Sequence, residues 1–222
     1  MNTLSNVNTR RGEPHPPTPD LSSVSSPENQ SLLAGVSVKY ALHPDKYWYV
    51  LRVTYNRVSR AYDILRKAGL EVYLPMHYVQ KIIQDKKKRV LEPLLPNIIF
   101  VYATPESITS VVKKPPYNSF INFYLNHFKQ DEYGKNPPLT VGYNDMMNFI
   151  NVTSVDNEHI RVVEPERCHY KSGDVVRVTD GDFKGVTGRV ARVSGQQRVV
   201  VELEGLCLVA TAYVPSSFLM KI

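Results

Sequence analysis

The sequence predicts an α+β protein in two folded parts: helices layered on an antiparallel sheet, followed by a small β-barrel. Three observations carry this prediction. Between residues 46 and 155, segments with strand-like and helix-like apolar spacing alternate. After residue 168 the pattern changes to short strands separated by glycine-containing turns. The chain has 222 residues, of which 42% are hydrophobic, which is enough for two such cores.

The first 45 residues are predicted to form a disordered tail. Residues 1–30 contain five Pro and five Ser, and no aromatic residue precedes Tyr40. Such a composition buries too little apolar surface to offset the entropy lost on ordering. The tail also lacks the apolar stretch of a secretory signal, and no run in the chain approaches the ~20 apolar residues of a membrane helix. We therefore expect a cytoplasmic protein without membrane attachment.

Residues 46–153 are predicted to form the first domain. Gly69 and Pro75 are stop signals for a helix and a strand, while Thr104 and Pro105 are typical of an N-cap and first helical position. The order strand, helix, strand, strand, helix, strand, helix suits a ferredoxin-like layer of helices on an antiparallel sheet. The predicted elements are a strand Tyr47–Val53, a helix around Val58–Leu65, a strand Glu71–Leu74, an exposed hairpin of Tyr78–Ile83 and Val90–Leu94, a central strand Asn97–Tyr102, a helix from Thr104 to about Lys113, a strand Phe120–Leu125, and a last helix capped by Asn144 and Asp145, with Met146, Phe149 and Ile150 facing inward.

Residues 154–167 are polar and are predicted to be a linker, and residues 168–222 are predicted to form a small SH3-like β-barrel. Two alternating strands flank a glycine-containing turn, where Gly supplies positive φ and close backbone approach. Phe183 and Lys184 are expected at the tip, with Phe183 either an exposed docking side chain or a lid over the barrel. The residues that define this motif are Gly173, Asp174, Gly181, Phe183, Lys184, Gly185 and Gly188.

Positive charge is concentrated in the middle of the chain. The formal net charge is +6, and residues 46–155 hold 15 Lys and Arg against 8 Asp and Glu. Residues 165–222 hold 8 against 6. The run Lys86, Lys87, Lys88 and Arg89 is either a phosphate-contacting surface or a solvated hairpin tip. Phosphate contacts would position nucleic acid without reading its sequence.

The glycine-containing turn resembles the KOW motif, and the preceding segments resemble the NusG family of transcription elongation factors. The resemblance rests on Trp48–Val53, Glu71–Pro75, Leu94–Val101 and Pro138-Leu139 before a helix. The chain departs from the family pattern at Asn97 and Ile98, where Gly and an aromatic residue are usual. With the long tail and the aromatic-rich segment 113–138, these departures resemble the specialised RfaH-like and UpxY-like antiterminators, the latter serving capsular polysaccharide operons.

The resemblance implies which residues and partners carry the function. Tyr55, Leu95, Pro96 and Ile98 would contact the clamp helices of the largest RNA polymerase subunit, unless Leu95 and Ile98 are ordinary core residues. The KOW domain would meet a ribosomal protein or a termination factor, and the protein would act as a monomer.

The sequence holds no constellation that indicates catalysis. Cys168 and His169 are adjacent but have no orienting third group, and Cys168 and Cys207 lack metal-ligand spacing. We therefore expect a binding protein without cofactor or metal. Two alternatives remain: a KOW-type RNA-binding or ribosome-associated protein, and an enzyme with a KOW appendage.

Overall fold

The structure is a computed structural model that describes residues 40–155, 159–164 and 168–222, with the side chains of residues 169–173 outside that description. The predicted tail over residues 1–39 and part of the predicted linker therefore lie outside the described residues. The described residues form two sheets and a separate hairpin, with three α-helices before residue 155.

The first sheet is antiparallel, with strand order β2-β5-β1-β6, and β7 pairs with β1 beside β6. Its central strands are β1 and β5, which pair from Tyr47 opposite Ala103 to Arg52 opposite Ile98. The strands are β1 (Tyr47–Val53), β2 (Glu71–Tyr73), β5 (Ile98–Ala103), β6 (Ile121–Phe123) and β7 (Thr140–Val141).

Three helices pack on this sheet: α1 (Val58–Lys67), α2 (Pro105–Val112) and α3 (Tyr143–Thr153). Helix α2 begins as predicted, because the Thr104 side chain accepts a hydrogen bond from Ser107 N and Pro105 is the first helical residue. The predicted cap of α3 is wrong. Gly142 occupies the N-cap position, and the helix begins at Tyr143.

A separate two-stranded hairpin is formed by β3 (Met76–Ile83) and β4 (Lys86–Pro93). Gln84 and Asp85 form its turn with φ of 52° and 58°, the left-handed pair that suits the twist of a tight hairpin. The basic run 86–89 therefore lies in strand β4 and not in the turn.

The second sheet has six antiparallel strands in the order β13-β9-β10-β11-β12-β8. The strands are β8 (Arg161–Val163), β9 (His169–Val178), β10 (Thr187–Val193), β11 (Gln196–Leu203), β12 (Cys207–Tyr213) and β13 (Leu219–Lys221). Within the predicted linker, β8 pairs with β12 and Ile160 is buried, so residues 160–163 pack with the second sheet.

The first sheet is covered on both faces, and alternation along its strands divides the core. On one face Leu51, Ile99 and Val101 pack with α1 and α2. On the other face Trp48, Phe100 and Tyr102 share a cluster with α3 and with second-sheet residues such as Val199. Burial on both faces explains why β5 is apolar throughout, as expected for a central strand.

The first folded part begins earlier than predicted. Tyr40 is only 3% exposed, its ring centroid lies 5.0 Å from that of Trp48, and its hydroxyl donates to Val72 O. Tyr143 donates in turn to Tyr40 O at 2.7 Å. The boundary placed at residue 45 therefore cuts off a core residue.

Candidate functional site

The four residues expected to meet a partner helix differ in exposure. Tyr55 is 74% exposed and Pro96 is also exposed, whereas Leu95 and Ile98 are each 8% exposed. Val53 N donates to Asn97 O at 2.8 Å, which brings the loop after β1 beside the loop before β5. Leu95 and Ile98 belong to the cluster that also includes α3, so they are core residues in this conformation.

The loop after β1 holds Tyr55 outward through its backbone conformation. Tyr55 and Asn56 have φ of 61° and 53°, in the left-handed region that non-glycine residues adopt infrequently. The Arg57 guanidinium lies 5.4 Å from the Tyr55 ring centroid, a cation–π distance. An exposed tyrosine with an adjacent arginine combines two residue types that dominate protein interfaces.

Asn97 accounts for one departure from the family pattern. Its φ is 64°, in the left-handed region where glycine is favoured and asparagine is the best tolerated substitute. Asn97 thus adopts a backbone conformation that glycine adopts most readily, and the turn before β5 forms without glycine.

The hairpin presents a basic and partly apolar surface. Lys86, Lys87, Lys88 and Arg89 are all exposed on β4. Arg89 stacks over the Tyr78 ring at 3.9 Å, and Lys81 forms an ion pair with Glu92. With Ile82 73% exposed, the hairpin combines point charges for phosphate with surface that aromatic or apolar groups can cover.

The glycine-containing turn is shaped as the sequence predicts at three positions. Gly181 and Gly185 have φ of 79° and 89°. At Gly188 an added Cβ would lie 2.5 Å from Val200 O, so the close approach of β10 to β11 requires glycine. Asp174 is joined to Lys221 by an ion pair at 2.8 Å, which ties the start of the motif to β13.

Phe183, at the tip of this turn, was expected to be either an exposed docking side chain or a lid over the barrel. Phe183 is 5% exposed and belongs to the core cluster, so it is not an exposed docking side chain. Lys184 is exposed beside it. A partner at this turn would therefore contact Lys184 and the backbone before it reached Phe183.

Helix α3 connects the two sheets, a role that the sequence analysis missed. Asn148 Oδ1 accepts a hydrogen bond from Thr187 N at 3.1 Å, and Asp145 and Asn148 line a cleft with residues of β9, β10 and β11. Phe149, on an adjacent side of α3, has its ring 5.3 Å from that of Phe100. The apolar Val152 one turn after Asn148 was the available signal in the sequence for the contact with the second sheet, and its side chain has no exposed surface.

The pKa values of the two cysteine thiols are shifted away from the reactive thiolate form. Burial raises the pKa of the Cys168 thiol, and burial raises the pKa of the Cys207 thiol to about 12. A nucleophilic cysteine requires the opposite shift. Within residues 40–155, 159–164 and 168–222, no group of three or more His, Cys, Asp and Glu side chains could hold a metal ion. Across the same ranges, no helix has the length and apolarity to cross a bilayer.

The described residues form a mixed α/β fold with two sheets. Residues 46–130 match the family model described as NusG, transcription termination factor nusG, and residues 172–202 match the KOW motif model. These two matches, in this order, support the NusG family for this chain and suggest a transcription elongation or antitermination factor. Factors of this family are regulatory proteins and not enzymes.

One solved structure, titled "Domain interaction in Thermotoga maritima NusG", is 18% identical to this chain, with a TM-score of 0.39. The comparison covers 80% of this chain and 97% of that chain.

Proposed function

We propose that the protein is a cytoplasmic, monomeric transcription elongation factor that binds RNA polymerase through its first sheet and promotes processive transcription of a specific operon. The observation that carries this proposal is the match of residues 46–130 to the NusG family, followed by a KOW motif at 172–202. The departures from the family pattern support a specialised antiterminator of the RfaH or UpxY type. A capsular polysaccharide operon is the kind of target such a paralog would serve.

The observed topology supports the finer description of both parts. We infer a ferredoxin-like arrangement for the first part from strand order β2-β5-β1-β6, with α1 and α2 packed on one face. We infer an SH3-like barrel for the second part from its short antiparallel strands and bulged pairings. The proposed domains span residues 40–153 and 159–222, because Tyr40 and β8 pack within them.

The exposed Tyr55 loop supports a docking role toward the polymerase clamp helices. A tyrosine ring offers a large, rigid contact area, and such residues carry much of the binding energy of interfaces. Docking through Leu95 and Ile98 as well requires the elements that cover them to move, because both are buried. The bound factor would favour the processive state of polymerase by binding that state more tightly.

The docking role is tested by Tyr55→Ala, with Tyr133→Ala as the matched control because Tyr133 is 78% exposed on another loop. We expect Tyr55→Ala to weaken binding to purified polymerase by roughly tenfold or more, as for an interface hot spot. Tyr133→Ala should bind normally, and both variants should melt as the wild type does. Equal binding by the two variants would contradict the assignment. Strong salt-dependent RNA binding without polymerase would favour a KOW-type RNA-binding or ribosome-associated protein.

The basic hairpin supports contact with nucleic acid in the elongation complex. Changing Lys86, Lys87 and Lys88 to Ser should leave stability within about 0.5 kcal/mol, since all three are exposed. For every lysine that binds a phosphate, its replacement should flatten the dependence of log affinity on log salt by about 0.7 to 0.9. The measurement is DNA binding by the polymerase–factor complex at several salt concentrations. An unchanged slope with full antitermination would identify the run as a solvated surface.

The second part is proposed to recruit a further partner, such as a ribosomal protein or a termination factor. Lys184 and the backbone of the turn from Gly181 to Gly188 are the exposed features available for this contact. Recruitment by one part while the other holds polymerase would raise the effective concentration of the second partner.

A further inference from the structure

Loop 126–137, between β6 and β7, carries the two most exposed large hydrophobic side chains among the residues that the structure describes. Phe128 is 80% exposed and Tyr133 is 78% exposed, and Leu125, which precedes the loop, is 41% exposed. These side chains belong neither to the Tyr55 loop nor to the basic hairpin nor to the glycine-containing turn. Apolar side chains grouped in one short exposed segment, unlike a single exposed one, indicate a surface that binds a partner.

Hydrogen bonds hold the backbone of this loop in a defined shape. Asn126 N donates to Pro137 O at 2.8 Å and closes the loop at its base. Asn136 Nδ2 donates to Asn126 O at 2.7 Å, and Asp131 Oδ1 accepts a hydrogen bond from Tyr133 N at 2.9 Å. A preformed loop loses little conformational entropy when a partner binds, so more of the contact energy of its exposed rings is available for binding.

The Phe128 ring is also supported from one side. Phe128 N donates to Asn126 Oδ1 at 2.9 Å, which fixes the start of the loop. A Cβ atom added to Gly205, in the turn between β11 and β12, would lie 3.5 Å from Phe128 Cδ2 and 3.6 Å from Leu139 Cδ1. One edge of the ring therefore lies beside this turn of the second sheet, while most of its surface faces solvent.

Exposed aromatic rings on a preformed loop suit a proline-rich ligand. Such a segment favours the polyproline II conformation before it binds, so it loses little entropy when it docks on aromatic side chains. The predicted tail contains one: residues 14–19 read Pro-His-Pro-Pro-Thr-Pro, with four prolines in six residues. This segment lies outside the described residues, and the function proposed above gives it no role.

The charges of the tail segment and of the loop are complementary. Arg10 and Arg11 precede the prolines, and the exposed Asp131 and Glu132 precede Tyr133. With two Lys against one Asp and one Glu, the loop has no net charge to attract nucleic acid, which favours a peptide ligand. The remaining charges of the two segments also have opposite signs: Glu13 and Asp20 in the tail, Lys129 and Lys135 in the loop.

The tail is long enough to bring this segment to the loop. Tyr143 is six residues after Pro137, the end of the loop, a path of at most about 22 Å. Tyr143 donates to Tyr40 O at 2.7 Å, so the described chain begins close to α3. Pro19 is 21 residues before Tyr40, and a flexible chain of that length has an r.m.s. end-to-end distance of roughly 25 Å. Because this length matches the span, the effective concentration of the segment at the loop is on the order of millimolar.

We propose that residues 14–19 dock on loop 126–137 of the same chain, with the prolines against the rings of Phe128 and Tyr133. The two arginines before the prolines pair with the acidic residues of the loop. Because Phe128 lies beside the turn at Gly205, the docked segment covers the place where the loop meets the second sheet. This surface is separate from the one proposed to bind polymerase, so loss of docking leaves polymerase binding unchanged.

The test is ¹⁵N NMR on the full chain, with the Phe128 and Tyr133 amides as probes. Replacing both Pro16 and Pro17 by Ser should shift these resonances, whereas Pro27→Ser, at a proline of the tail outside the segment, should leave them in place. The wild-type resonances should not depend on protein concentration, because the segment and the loop belong to one chain. Unchanged resonances in the double variant would overturn the proposal. Resonances that move with protein concentration would assign the segment to a second copy and overturn docking within one chain.

A synthetic peptide of residues 9–21 tests the aromatic contacts. Added to the double variant, it should return the loop amides saturably to their wild-type positions. In that background Phe128→Ala or Tyr133→Ala should weaken peptide binding roughly tenfold, as for a central interface residue. Tyr213→Ala, at an exposed tyrosine of the second sheet, is the matched control and should bind the peptide normally. All three side chains are exposed, so the variants should remain folded. Equal weakening by the three variants would overturn the site.

The same titration tests the charge pairing and the class of ligand. A peptide with Ser in place of Arg10 and Arg11 should bind several-fold more weakly at low salt, and the difference should shrink as salt rises, because exposed charges are screened. Equal binding of the two peptides at low salt would overturn the pairing with the loop carboxylates. A short uridine-only RNA should not displace the peptide, and displacement by that RNA would overturn the assignment of the loop to a peptide ligand.

Discussion

Replacing Val152 by aspartate tests whether α3 holds the two sheets together. Helical spacing places Val152 between Asp145 and Asn148 on the face toward the second sheet, and its side chain is fully buried. Burying the apolar side chain contributes about 1.5 to 3 kcal/mol. A buried carboxylate without a partner adds a cost of several kcal/mol.

The least costly response is separation of the second sheet from α3. The hydrogen bond between Asn148 and Thr187 contributes only about 1 kcal/mol. The apolar contacts of the shared cluster then have to offset the buried charge, and we expect them to be too weak to do so. The face of α3 toward the first sheet keeps its packing, including Phe149 against Phe100. We therefore expect Val152→Asp to leave both sheets folded and free to move relative to each other.

The assay is ¹⁵N NMR on the full chain, with the Thr187 amide as the local probe and the tumbling time of each sheet as the global one. Asn151→Asp is the matched control, since it adds the same charge to the exposed side of the same helix. The control should keep the wild-type Thr187 resonance and stability within about 0.5 kcal/mol. A Val152→Asp variant with an unchanged Thr187 resonance would refute the reasoning, as would complete unfolding in a single transition.

Two further predictions concern single residues. Asn97→Ala should lower the free energy of unfolding, measured in urea, by about 1 kcal/mol, because the φ of Asn97 is 64°. Asn97→Gly and the exposed control Asn118→Ala should each lower it by less than half of that amount. Equal losses for Asn97→Ala and Asn118→Ala would contradict the backbone argument. The raised pKa of Cys207, about 12, means that its contribution to stability is complete below pH about 8.5 and is lost as pH rises toward 12, at up to about 1.4 kcal/mol per pH unit. In urea unfolding measured at several alkaline pH values, the free energy of unfolding of Cys207→Ala should fall less steeply with pH than that of the wild type. If the difference between the two proteins does not vary with pH, the prediction is wrong.

The regular elements could be predicted because local signals determined them. Thr104 and Pro105 start α2 as expected, and the uninterrupted apolar strand ending at Tyr102 is central because both faces of the sheet are covered. Glycine spacing indicated the turn correctly, since Gly181 and Gly185 adopt positive φ and Gly188 allows close approach.

The sequence-based predictions failed where contacts between residues distant in sequence determine the structure. Tyr40 precedes every predicted element and is buried only because Trp48 and Tyr143 reach it from elsewhere in the chain. The segment Arg161–Val163 is short and lies among charged residues, yet it becomes a strand because it pairs with β12. The burial of Phe183 likewise depends on the core cluster around it, which no local pattern specifies.

The candidate site could be predicted only by residue type. The family resemblance indicated Tyr55 and Pro96 together with Leu95 and Ile98, and the structure exposes the first pair and buries the second. The basic run was located correctly on a hairpin, although it lies in a strand. The contact of α3 with the second sheet could not be predicted, because Asn148 and Thr187 are distant in sequence and meet only in the folded chain.

Trp48 makes the chain its own optical probe. It is the one tryptophan in 222 residues, and its ring lies 5.0 Å from both Tyr40 and Tyr102 in the core of the first sheet. Fluorescence excited at wavelengths that only tryptophan absorbs therefore reports on the first sheet and not directly on the second. An unfolding midpoint from this signal, compared with one from second-sheet amides such as that of Val200, shows without any label whether the two sheets unfold together.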